Sequence, residues 1–254
     1  MLVKAKDLHD FKMECRDGLF GRVQELYFDD LHWTIRYLVA DTSTWLPGRT
    51  VLISPYALGA VSKERKSLYV NLTKRQIEES PAQDSDKPVS QQFELAHNEY
   101  FGWPAYWGGP HVWGDYAYLE RDKDKWVRAR PEGRLWDYRL RSTTEVGRYG
   151  IEALDGPLGH VDDFILDDES WAIRYLVVDT HDWWPGAKVL VAPKWIERVS
   201  WGDGKVFVNL SRKTIKASPA FSEFALLSRD YEEKLHKHYE RLGYWNHEAL
   251  LGKR

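Results

Sequence analysis

Cysteine is nearly missing from this sequence: Cys15 is alone among 254 residues. No intrachain disulfide can form, and the chain suits a reducing compartment. No run of about 18 apolar residues occurs, so no membrane-spanning helix is expected. The opening MLVKAKDLHDFKMEC has no apolar core of the kind a signal peptide carries. A basic excess is also missing, since the formal net charge is −3. Nucleic-acid binders driven by electrostatics present a basic face, so a nucleic-acid partner is not expected. The phosphate, dinucleotide and zinc signatures GxxxxGK[ST], GxGxxG before a helix, HExxH and paired CxxC are absent as well. These absences lead to the expectation of a cytoplasmic protein.

Tryptophan and tyrosine are abundant, with thirteen and fourteen copies. Such side chains bury large areas and supply anchors at interfaces. The chain also repeats itself. WTIRYLVADTSTWLPGRTVLISP (33–55) is answered by WAIRYLVVDTHDWWPGAKVLVAP (171–193). Sliding the sequence by 138 residues aligns Asp17–Pro81 with Asp155–Pro219 without a gap, and 28 of those 65 positions are identical. Tyr106-Trp107 are matched by Tyr244-Trp245 at the same offset. So long a period implies two modules rather than a solenoid.

Within each copy, short β segments separated by turn signals indicate a small sandwich or barrel. Residues 21–28 and 34–41 read as strands joined by DDLHW, and 49–53 and 68–72 as two more. Both faces of IRYLVAD are mostly apolar, which suits a central strand covered on two sides. The tripeptides at 46–48 and 184–186 suit type II turns. TKRQIEES and SRKTIKAS read as short closing helices stopped by Pro81 and Pro219. SRDYEEKLHKHYERLGYW reads as a helix, and SQQFELAHNEYFGWPAYW is its counterpart. A closed barrel would hide its edge strands.

The combination GHVDDFILDD…WAIRYLVVDT…WPG…VLVAP resembles the PRC-barrel family, and the likeness extends through VNLSRKTIKASPAF. That family takes its name from the cytoplasmic domain of the photosynthetic reaction-centre H subunit. The resemblance implies two tandem small β-barrels with short helices closing each repeat, a mainly β fold related by pseudo-twofold duplication. The first would cover residues 1–107 and the second 140–245, with an aromatic and charged connector at 108–139 and a tail at 246–254. It further implies an adaptor role. One branch of the family sits on a membrane-embedded electron-transfer complex, and another docks on a ribosomal protein. Fold alone does not assign function.

Reactive groups shared by both copies would mark a shared chemistry. No histidine recurs: His32 faces Ser170, His160 faces Arg22, His181 faces Ser43 and His236 faces Asn98. A duplicated nucleophile system is therefore not expected, nor is a cofactor or metal. His236, His238 and His247 lack the spacing and companions of a zinc site. Asp29-Asp30 and Asp167-Asp168 fall in the first hairpin, where turn chemistry explains them more economically than calcium. Arg36 and Arg174 project from apolar strands and need partners. Asp41, Asp179 or the hairpin aspartates can supply them, as a structural ion pair or as part of an anion site. Trp45 and Trp183 precede the PG turn in both copies, with Trp184 beside the second, and are the candidate partner-binding residues.

The leading expectation is a non-catalytic adaptor or assembly protein with a protein partner, linked to an electron-transfer or membrane-associated complex. A pseudo-symmetric monomer or homodimer would suit the doubling. The alternatives are an anion-binding sensory module with a site between the barrels and, by family analogy alone, an RNA-processing factor.

Overall fold

The computed structural model describes residues 1–43, 45–46, 49–82, 89–126, 139–180, 187–219, 221 and 227–246. Strands β1 (Leu2–Lys4), β2 (Lys12–Cys15), β3 (Gly18–Asp29), β4 (Thr34–Asp41), β5 (Val51–Ile53), β6 (Leu58–Ser62) and β7 (Ser67–Val70) come first. Helices α1 (Ala5–Leu8), α2 (Lys74–Glu78) and α3 (Gln91–Phe101) accompany them. The same succession then returns 138 residues later. It runs through β8 (Leu140–Ser142), α4 (Thr143–Val146), β9 (Gly150–Ala153), β10 (Gly156–Asp167), β11 (Ile173–Asp179) and β12 (Lys188–Val191). It ends with β13 (Ile196–Ser200), β14 (Lys205–Val208), α5 (Arg212–Lys216) and α6 (Arg229–His238).

The fold is mainly β, with two seven-stranded sheets. Six strands of the first follow the order β5-β4-β3-β2-β7-β6, and β8 pairs with β3. Six of the second follow β12-β11-β10-β9-β14-β13. In both, the β2–β7 or β9–β14 ladder is parallel and the ladders β4–β5 and β11–β12 are antiparallel. The expectation of closed rings is corrected here. Each path is open, and among the described residues no ladder joins β5 to β6 or β12 to β13. A contributing feature is that Pro55 and Pro193 follow the short β5 and β12, lack an N–H, and each open a 3-10 turn where a longer strand would continue.

Strand β4 is buried from Thr34 to Ala40, and β11 from Ile173 to Val178. Their β-branched and aromatic side chains fit a strand covered on both faces. Four of the helices, α2, α3, α5 and α6, start at side-chain caps: Thr73 forms a capping box with Gln76, and Ser90, Ser211 and Ser228 each accept a backbone N–H. Such a cap holds one of the donors that a helix start leaves unpaired. Gly159 sits where β10 passes β11. Its φ is +146°, and a Cβ would meet Asp179 O at 1.9 Å, so only glycine fits.

The chain divides into two compact units that interleave along the sequence. The first holds Met1, Val3–Thr144 and Leu166–Ile173; the second holds Leu2, Glu145–Ile165 and the described residues from Arg174 onward. Two hairpin tips therefore lie inside the first unit. Their backbones bond reciprocally, Ile35 N to Trp171 O and Ile173 N to Trp33 O, both at 2.8 Å. Trp33 and Trp171 adopt positive φ, 54° and 60°. Each donates its N–H to the carbonyl of the preceding Asp29 or Asp167.

Candidate functional site

Arg36 is the centre of a buried polar cluster in the first unit. Its Nε donates to Asp29 Oδ2 at 2.8 Å, and its Nη2 to Val112 O at 2.7 Å. Both side chains of the ion pair are essentially inaccessible. The guanidinium lies 4.0 Å from the Tyr106 ring centroid and 4.5 Å from that of Trp113. A planar, weakly hydrated cation is suited to such a position. The Tyr106 hydroxyl in turn donates to Glu94 on α3. Asp29 also accepts N–H bonds from Leu31 and His32. Burial raises its pKa, but Arg36 and the His32 contacts outweigh burial and leave it below its usual value.

The second unit repeats the motif. Arg174 lies 3.8 Å over the Tyr244 ring, and the Tyr244 hydroxyl donates to Glu232 Oε2 at 3.4 Å. Tyr175 Oη donates to Glu232 Oε1 at 2.9 Å and is 2.9 Å from His236 Nε2. Arg229 pairs with Glu232 at 3.1 Å. Burial raises the pKa of Glu232 and, with that carboxylate beside it, of Tyr175. The shared elements are thus Arg36/Arg174, Tyr106/Tyr244 and Glu94/Glu232, each pair separated by the repeat offset. Sequence reasoning missed the two glutamates. Both lie in the paired segments SQQFELAHNEYFGWPAYW and SRDYEEKLHKHYERLGYW, where a position-by-position comparison shows their identity.

Asp41 is exposed and accepts the Ser43 N–H at 3.0 Å, so the carboxylate partner of Arg36 is the hairpin aspartate. Asp179 closes β11, opposite Lys188. The remaining hairpin carboxylates are occupied by turn and ion-pair contacts. Asp30 receives both Nε and Nη2 of Arg141 at 3.2 Å. Asp167 accepts from Glu169 N and Ser170 Oγ, and Asp168 pairs with the terminal ammonium. Among the described residues, no three His, Cys, Asp or Glu side chains gather to hold a metal ion.

Trp45 is half-buried, with its Nε1 donating to the carbonyl of Phe20. Leu19, the neighbour of that carbonyl's residue, is half exposed. Trp183 and Trp184, His181, His247 and the PG dipeptides of both turns lie outside the described residues. Within the described part of the connector Trp113, Leu119 and Glu120 are buried, and Trp113 Nε1 donates to Ser170 O at 3.3 Å within the first unit, whereas Arg121–Lys125 are exposed.

His97, on α3, is enclosed by the rings of Tyr37, Phe93, Phe101 and Trp103 at 5.0–5.6 Å between centroids. Its Nε2 is 3.0 Å from Leu52 O. Burial drives its pKa down to about 4, against the smaller opposing effect of that hydrogen bond.

A cavity of about 270 Å³ opens on the first unit. Tyr56, Phe101 and Trp103 form its aromatic wall, and Arg16, Lys123 and Asn71 supply polar groups. Set against known proteins, the chain matches no protein-family model and no curated protein.

Proposed function

We propose that this chain is a non-catalytic adaptor, made of two PRC-type modules that arose by duplication and form partly open barrels. In this reading it works in the cytoplasm and docks on a protein of an electron-transfer or membrane-associated assembly. One observation carries the reading: the arginine and glutamate that recur in the polar cluster of both halves, Arg36/Arg174 and Glu94/Glu232, are buried. Arg36, Glu94 and Glu232 bond to buried neighbours, which makes them elements of the scaffold. A side chain that recurs and also reaches the surface is Trp45, braced by the Phe20 carbonyl. An indole fixed at one edge with the rest available is the kind of preorganised anchor on which interfaces concentrate their binding energy.

The test is co-purification of the tagged full-length protein from its native host, with nuclease treatment and moderate salt. Stoichiometric companions are identified by mass spectrometry. The adaptor reading expects a protein companion that is retained by Leu95→Ser, a change at another exposed apolar position. It should be lost from Trp45→Ala combined with Leu19→Ser. A companion held equally by the Trp45 variant, with its circular dichroism unchanged, would overturn the docking assignment. Turnover of a metabolite by the pure protein, with no companion found, would overturn the adaptor.

A further inference from the structure

The cavity in the first unit is built from residues that the second half does not share. At the repeat offset, Arg16, Tyr56, Phe101 and Trp103 are replaced by Leu154, Lys194, Tyr239 and Arg241, whereas Asn71 and Leu72 recur as Asn209 and Leu210. The surrounding scaffold is kept. Tyr100 Oη donates to Gln76 O at 3.0 Å, and His238 Nε2 stands 2.8 Å from the matching Thr214 O. Scaffold contacts thus persist through a change of side chain, while the cavity wall belongs to one half only.

The wall is an aromatic stack. Phe101 and Trp103 face each other at 4.2 Å with 15° between their planes, and Tyr56 lies 6.3 Å from Trp103 with 25° between theirs. A planar ring extends such a stack on an outer face or meets its edges. The polar side carries positive charge alone. Arg16 and Lys123 line the cavity, no carboxylate does, and neither cation has a carboxylate partner among the described residues. Arg16 Nε donates to Asn71 Oδ1 at 2.8 Å, which orients the guanidinium and leaves its terminal nitrogens available. A volume of about 270 Å³ lies just below the usual range of small-molecule sites, about 300–1,000 Å³. It suits a one-ring ligand rather than a dinucleotide.

We propose that this cavity binds a small aromatic carboxylate, with its ring against Phe101 and Trp103 and its carboxylate between Arg16 and Lys123. The assignment goes beyond the adaptor reading and does not depend on it.

Isothermal titration and ligand-observed NMR with 4-hydroxybenzoate on the full-length protein test it. Phenol serves as the neutral ring and cyclohexanecarboxylate as the non-planar anion. Saturable binding of 4-hydroxybenzoate, at least tenfold tighter than either control, is expected. Arg16→Gln and Lys123→Gln are surface changes that leave the fold intact. Each should weaken binding about tenfold, the size of one lost charge-assisted contact, and together they should abolish it. Arg148→Gln, on the second unit, should change nothing. No saturation up to about 10 mM, equal binding of cyclohexanecarboxylate, or unchanged binding in the double variant would each overturn the assignment.

Discussion

Lowering the pH from about 7.5 to about 5 should remove about 2 kcal/mol of stability from the first unit through His97 alone. The folded imidazole titrates at about 4, against an ordinary value of 6.5. It is neutral in the fold and takes up its proton only when the chain opens. The stabilisation is therefore complete above pH 6.5, and it falls as the pH drops toward 4. The interval from 6.5 to 5 spans about 1.5 pH units at about 1.4 kcal/mol each. Asp29, held below its usual 3.8, contributes in the same direction but only at lower pH, outside this window. Urea unfolding at both pH values reads the effect, with hydrogen exchange of α3 and β5 peptides locating it. His97→Gln provides the control, because the amide can still donate to Leu52 O. The variant should start less stable, yet lose about 2 kcal/mol less than the parent between the two pH values. Equal losses in both proteins, or an NMR titration of His97 near 6.5, would refute the argument that its aromatic enclosure excludes the charge.

Arg36→Met should cost about 3–5 kcal/mol, because it strands the Asp29 carboxylate and the Val112 carbonyl. Adding Asp29→Asn should cost less than the sum of the two single changes, as measured by urea unfolding. Strict additivity would deny the coupling. Tyr56→Phe should be neutral or stabilising by up to about 1 kcal/mol, since the buried Tyr56 hydroxyl has no hydrogen-bond partner among the described residues. A loss above about 1 kcal/mol, read from the fall in the thermal midpoint, would contradict that.

The elements with a strong local signal were legible in the sequence. An apolar run on both faces located β4 and, through the repeat, β11, and the stopping prolines Pro81 and Pro219 marked α2 and α5. The short β2 and β6 were missed, because strands of four or five residues with partly exposed faces have little periodicity to show. The open sheet path was not legible either, since closure depends on which edges meet and no local pattern encodes that. For Arg36, burial within an apolar strand indicated a need for a counter-charge. The choice of Asp29 over Asp41 came from β3–β4 register, which sets Asp29 beside Thr34 and Asp41 beside Arg22. Glu94 read as one more charge on a polar helix. Only the tertiary approach of Tyr106 gives it a role.

The interleaving of the units has a consequence for the order in which the molecule can be made. The β3 edge from Tyr27 to Asp29 pairs with β8, and the backbone of Ile35 bonds to Trp171. Neither partner exists when the first repeat has just been synthesised. Translation from Trp107 to Ile173, at about 5–20 residues per second, takes about 3–13 s, with β8 emerging about midway. During that interval the nascent first unit carries an unpaired strand edge and an unclosed hairpin tip. Such features invite pairing with other chains. The first half of the chain is thus synthesised first but completed late, and ribosome-bound chaperones would have their main opportunity in that delay.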